Sequence, residues 1–361
     1  MSDDSIDLLD YRREVELPCD SGGGESLADG TSASRERRVH IFEPRDWDAV
    51  VAAIGTNRPL LLRGEPGVGK TQMAEAVATR LKRMLIWQVL DARTEPRDLL
   101  YHVDSVRRLS EAQLCAASRD PSTEELGRLR GELDPRRFVV PGRIWWAFDW
   151  KSAHSQSSEA RVSPAYSPSH WEGKDGAVLL IDEIDKAESE VPNALLEALG
   201  ERRFSVPFGI GDIRVAGRDP VVIITTNEER SLPNAFVRRC VVHWLDVPKT
   251  TAKRGGPSLE EWLIERGKAH FGTTGMHESV MREAAVQLVR DRRESEKNGW
   301  LPKPGLAEYL DLLRALAFVG SDSKNDKSAG ENQNDSITQA QLAWLVRLKR
   351  FVLQKNRGDG Q

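Results

Sequence analysis

Cysteine is scarce, with three in 361 residues. Cys19, Cys115 and Cys240 are odd in number, far apart and without a CxxC pair or a histidine at metal-ligand spacing. That leaves no basis for a disulfide framework, and they read as free thiols in a reducing, cytoplasmic compartment. Long apolar runs are missing too. No stretch approaches the ~20 residues of a membrane span. The start Met1-Ser2-Asp3-Asp4 is acidic where a secretory leader is basic and then apolar, so no membrane is expected. A basic surplus is also absent. The formal net charge of −4 argues against a dedicated nucleic-acid binder, though it does not exclude a local basic face. What remains is a chain with 30% charged and 39% hydrophobic residues, long enough for about two domains.

Against that background the segment Gly64-Glu65-Pro66-Gly67-Val68-Gly69-Lys70-Thr71 stands out, because it fits G-x-x-x-x-G-K-S/T. At average residue usage this pattern arises by chance in roughly 1% of chains this long. Its flanks make chance less plausible still. Pro59-Leu60-Leu61-Leu62 reads as a buried strand, and Met73, Ala74, Ala76, Val77 and Leu81 repeat at helical spacing. Glycines let such a loop turn backbone N–H groups onto a phosphate chain, and the following helix N-terminus adds partial positive charge. Lys70 is placed to neutralise the β- and γ-phosphates and the Thr71 hydroxyl to ligate Mg²⁺. The choice between ATP and GTP is not legible, since no motif marks the base contacts.

The second decisive stretch is Ala177-Val178-Leu179-Leu180-Ile181-Asp182-Glu183, an apolar strand ending in two carboxylates. Open α/β sheets bind ligands at that edge. Asp182 is placed to hold the Mg²⁺ shell and Glu183 to orient or deprotonate the attacking water. Val221-Val222-Ile223-Ile224 is another buried strand, with Thr225-Thr226-Asn227 as a polar tip. Between the two, Val191, Ala194, Leu195, Ala198 and Leu199 form one helix face. A hairpin follows around Gly209-Ile210-Gly211-Asp212. A short helix, Leu232 to Cys240, ends in Arg238 and Arg239 and precedes the strand Val241 to Trp244.

Elsewhere the pattern is softer. Residues 1–36 are acidic and glycine-rich and read as a disordered tail. Ile41 and Phe42 either contact an adenine ring or pack in the core. Trp145, Trp146, Phe148 and Trp150 form either core or an interface or pore loop. Lys151 to Gly176 reads as a flexible insertion. From 249 onward helical periodicity predicts a small all-helical lid, interrupted by a polar linker at 320–335.

P-loop, Asp-Glu strand, Asn-tipped strand and Arg-ended helix, in this order over about 39–320, resemble the AAA+ ATPases. The segments Leu180-Ile181-Asp182-Glu183-Ile184-Asp185-Lys186-Ala187 and Leu232-Pro233-Asn234-Ala235-Phe236-Val237-Arg238-Arg239-Cys240 look closest to the MoxR-like branch. The resemblance implies a P-loop core over 37–248, a parallel sheet between helices with helix-2 and pre-sensor-1 hairpin insertions, and a helical lid over 249–361. It implies Asn227 as sensor 1 and Arg238 or Arg239 as an arginine finger on a neighbouring subunit's γ-phosphate. The family's usual sensor 2 arginine has only Lys303 as a counterpart, and Lys lacks the forked geometry of Arg.

The activity so implied is hydrolysis of ATP with Mg²⁺ by a homo-oligomer, a hexameric ring, that remodels or activates a client protein. The chain shows no protease, nuclease or von Willebrand motif and no internal repeat, so it is expected to act on a separate partner. Two rivals stay open: a slow nucleotide-dependent switch or scaffold, and a motor stimulated by nucleic acid. The modest acidic balance weighs against the second.

Overall fold

The computed structural model describes residues 13–17, 37–116, 131–165, 176–249, 257–272, 276–324 and 333–354. In chain order it contains β1 (Glu14–Glu16), β2 (Val39–Ile41), α1 (Pro44–Thr56), β3 (Leu60–Arg63), α2 (Lys70–Leu81) and β4 (Met84–Val89). There follow β5 (Tyr101–Val103), α3 (Ser105–Ala116), β6 (Val139–Pro141), α4 (Arg143–Phe148), α5 (Trp150–Glu159) and β7 (Ala177–Asp182). Next come α6 (Glu190–Glu201), β8 (Arg203–Val206), β9 (Gly211–Arg214), β10 (Val221–Thr226), α7 (Asn234–Val237) and β11 (Val241–Trp244). The last elements are α8 (Leu259–Phe271), α9 (Glu278–Asn298), α10 (Leu306–Lys324) and α11 (Gln333–Val352). The chain divides into two compact units.

The first unit holds residues 45–63 and 77–243 and is built on a five-stranded parallel sheet in the order β11-β3-β10-β7-β4. The apolar runs that predict strands are its centre: every residue of β7 and β10 is buried. Side chains of α4 cover the sheet, and Trp145, Trp146 and Phe148 are core residues, which settles their reading. Register matters most for function. Pairing of Thr226 with Arg63, Ile224 with Ile181, and Val89 with Asp182 brings the carboxyl ends of four strands to one edge. The hairpin β8–β9 forms as expected, pairing Arg203 with Arg214 and Val206 with Gly211.

The second unit holds residues 11–44, 64–76 and 244–361. Helices α8 to α11 form its core through Leu263, Phe271, Met281, Leu288, Tyr309, Leu313, Leu316 and Leu345. A Cβ on Gly267 would stand 2.7 Å from the Tyr309 hydroxyl, so the α8–α10 approach requires glycine there. The Tyr309 hydroxyl donates to the Met281 carbonyl at 3.0 Å, and burial raises its pKa well above the ordinary phenol value.

Three segments differ from expectation. Within the 1–36 tail, Glu14–Glu16 pair antiparallel with Val39–Ile41, because Val15 and Leu17 find apolar cover; residues 1–12 and 18–36 lie outside the described residues. Within the 151–176 insertion, 150–159 are helical despite their polarity. Asp149 caps the N-terminus through Ser152 N–H, Ala153 is buried, and Gln156 donates to the carbonyls of Arg136 and Val139 at 2.8 and 2.9 Å. Residues 166–175 lie outside the described residues. The 320–335 linker is shortened by α10, which runs to Lys324, and by α11, which begins at Gln333. Among the described residues no helix is long and apolar enough to cross a membrane.

Candidate functional site

Parallel strands leave their C-terminal groups at one edge, and here that edge carries a closed set of hydrogen bonds. The Thr225 hydroxyl donates to Asp182 Oδ1 and accepts the Glu183 N–H at 3.0 Å. Thr225 is fully buried and Asp182 nearly so, which fixes the strand tips relative to each other. Glu183 then turns through a left-handed backbone (φ 60°), taking its carboxylate out of the strand direction. Its Oε1 accepts from Asn227 Nδ2 at 3.3 Å and its Oε2 from Lys186 Nζ at 2.8 Å. The hydrogen bond and charge of Glu183 raise the Lys186 pKa, so the ammonium stays charged.

Asp185, buried three residues beyond Asp182, has a different task. Its two carboxylate oxygens accept the N–H groups of Asn227 (3.2 Å) and Glu229 (2.9 Å), and this holds the loop after β10 in place. Neither Asp185 nor Thr225 has an evident role in the sequence. A threonine at a strand tip reads as a β-branched strand residue until its partner is known.

In the other unit, the loop 64–69 combines left-handed glycines with close neighbours. Gly67 has φ 75° and Gly69 φ 102°. A Cβ at Gly67 would stand 2.9 Å from Ala307 Cβ, and one at Gly64 2.7 Å from the Leu245 carbonyl oxygen. Lys70 Nζ donates to the carbonyls of Gly64 and Glu65 at 2.8 and 3.0 Å, drawing the loop around the head of α2. Val68 is buried and Pro66 exposed.

The side chain that reaches this loop from the lid is Arg292 of α9. It is 5% exposed and donates Nη2 to Glu65 Oε2 at 2.7 Å and Nη1 to the Pro304 carbonyl at 3.0 Å. Lys303 lies half-buried just before Pro304 and makes no hydrogen bond or ion pair to the loop. Arg292 was not visible in the sequence as a candidate, because it stands in a charged run beside Arg290 and Arg293.

Arg238 and Arg239 directly follow α7 and are both exposed, with no ion pair to any described residue. The helix itself is anchored: Phe236 is fully buried, and burial pushes the Cys240 thiol up to about 12. Thus the two guanidinium groups are held outward on a fixed base.

The residues suit a nucleotide phosphate chain and a hard cation. The loop of the second unit carries left-handed glycines and a lysine; its Thr71 hydroxyl and the Asp182 carboxylate of the first unit each offer an oxygen of the kind a hard cation takes.

The AAA domain (dynein-related subfamily) matches residues 59–240. Lon protease of Mycolicibacterium smegmatis is 24% identical over 275 residues, covering 75% of this chain but 28% of that protein, so the chain spans under a third of this relative. A single-residue variant of Thermotoga maritima RuvB aligns at 15% identity and TM-score 0.38, covering 83% of this chain and 67% of that one. The T. maritima RuvB Holliday junction branch migration motor aligns at 14% identity and TM-score 0.38, covering 84% and 69%. With half of its length matched by the family, the chain belongs to the AAA domain family, dynein-related subfamily.

Proposed function

We propose that the chain is a MoxR-like AAA+ ATPase that binds ATP with Mg²⁺ and works in the cytoplasm as a ring of identical subunits, a hexamer, to remodel or activate a client protein. In this reading Gly64 to Thr71 hold the phosphates, with Lys70 on the β- and γ-phosphates, and Thr71 and Asp182 offer oxygens to Mg²⁺. Bound Mg²⁺ supplies charge neutralisation of the phosphates. Glu183 takes the proton of the attacking water and Asn227 orients it. Arg292 positions the loop through Glu65, and Lys303 stands where the resemblance puts sensor 2.

The observation that carries the ring is the pair Arg238 and Arg239, exposed and without an ion pair to any described residue. Charge develops on the equatorial oxygens in phosphoryl transfer, and a guanidinium from a neighbour stabilises it. Turnover per subunit should therefore rise steeply with protein concentration and fall by about 10³-fold in the finger variant. Constant turnover per subunit across the monomer-to-oligomer range sinks the reading.

A second reading has its own support. The Lys186–Glu183 ion pair occupies the base, as a resting switch would. Lys186→Ala should raise basal turnover severalfold if release of Glu183 limits the rate. Unchanged or lower turnover in that variant returns the balance to a constitutive motor.

A further inference from the structure

We propose that the N-terminal edge of the parallel sheet carries a second anion site, suited to a small phosphate-bearing solute. A cavity of about 250 Å³ opens there, among the residues that enter β3, β4 and β10. This is the end of the sheet opposite Asp182, Glu183 and Asn227, so the cavity is separate from that edge.

Four guanidinium groups line it, those of Arg58, Arg83, Arg202 and Arg218, against the single carboxylate of Asp219. The carboxylate does not neutralise the set. Asp219 pairs with Arg202 and accepts from Asn57 at 3.5 Å. Arg83 donates Nη1 to the Asp219 carbonyl at 3.0 Å, which aims the guanidinium. Arg58 and Arg218 are exposed and form no ion pair with a described residue. Like charges collected around a concavity repel one another unless an anion joins them, and planar guanidinium forks match phosphate oxygens in pairs.

Size and walls narrow the ligand. At about 30 Å³ per water the cavity equals roughly eight waters, room for pyrophosphate or a single-ring organophosphate but not for a folded partner. Phe148, Leu199 and Val215 supply an apolar wall for the body of such a solute. Its root is mechanically connected as well. Arg202 caps α6 in a left-handed conformation, and its carbonyl accepts the Val215 N–H at 3.3 Å, closing the β8–β9 hairpin. Occupancy therefore joins the base of that hairpin to the strand entrances.

The test is calorimetric titration of inorganic pyrophosphate into the full chain carrying Lys70→Ala, which suppresses phosphate binding at the loop 64–71. One-to-one binding is expected, with affinity at least tenfold weaker when Arg58→Ala and Arg218→Ala are added. Arg218→Gln alone, at an exposed position, should weaken it at least threefold with an unchanged thermal unfolding curve, which separates loss of the site from loss of the fold. Absence of heat in the Lys70→Ala chain overturns the proposal, as does equal affinity in the arginine variants. Citrate binding as tightly as pyrophosphate overturns the phosphate assignment.

Discussion

A carboxylate that is to take a proton from water has to be aimed by its neighbours without being buried by them. Glu183 meets that condition through a left-handed backbone and bonds from Asn227 and Lys186. A non-glycine residue held there costs about 1–3 kcal/mol, which the Thr225 and Asp185 hydrogen bonds offset. Glu183→Gln keeps the shape and removes the proposed base. Steady-state ATP turnover should fall by about 10²–10⁴-fold while nucleotide affinity stays within about twofold; substantial turnover in this variant would place the base elsewhere. Thr225→Val keeps the branched shape and deletes the hydroxyl between Asp182 and the Glu183 N–H. Stability should drop by about 1–3 kcal/mol, read as a lower urea midpoint, because two buried polar groups lose a partner. The Asp-Glu pair was legible because two acids after an apolar run are unusual. Thr225 and Asp185 were not, since their roles exist only across strands 42–44 residues apart.

At the scale of elements, the clearest signals were runs and punctuation: β7 and β10 as unbroken apolar stretches, the β8–β9 hairpin around its glycines. The helix 150–159 stayed hidden because its buried contacts are made by Ala153 and by Gln156 bonding backbone carbonyls, not by an apolar stripe. Helix α9 hides its key residue for the opposite reason, an arginine among many charges. Arg292 ties α9 to Glu65 and to Pro304, two residues before α10, by one fork, and a lysine ammonium cannot reproduce both bonds. Glu65 is 47% exposed, so solvent screens much of the charge attraction and the geometry of the loop is what suffers. Arg292→Lys is therefore expected to raise KM for ATP by about 3–10-fold, the equivalent of roughly one lost hydrogen bond, with kcat changed by less than about twofold. An unchanged KM, or a collapse of kcat at constant KM, would show that the α9 fork does not position the loop.

At the scale of the whole molecule, the question is whether one chain contains a complete site. Lys70, Asp182, Glu183 and Asn227 each hydrogen-bond to residues of their own unit, whereas Arg238 and Arg239 are exposed just beyond a helix anchored through Phe236. If these arginines serve a neighbour, defects in the base and in the finger lie in different subunits' sites and can complement. A chain with Glu183→Gln cannot hydrolyse ATP itself but still presents both arginines; a chain with Arg238→Ala and Arg239→Ala keeps its base but serves no one. Mixed, the first completes the second. Equal amounts of the two inactive proteins should thus regain on the order of a quarter of wild-type turnover if partners assort at random, since an intact base meets an intact finger at one interface in four. Additive inactivity at concentrations where the mixture co-assembles would assign the arginines to their own chain's surface, and the reading of a shared site would fall with them.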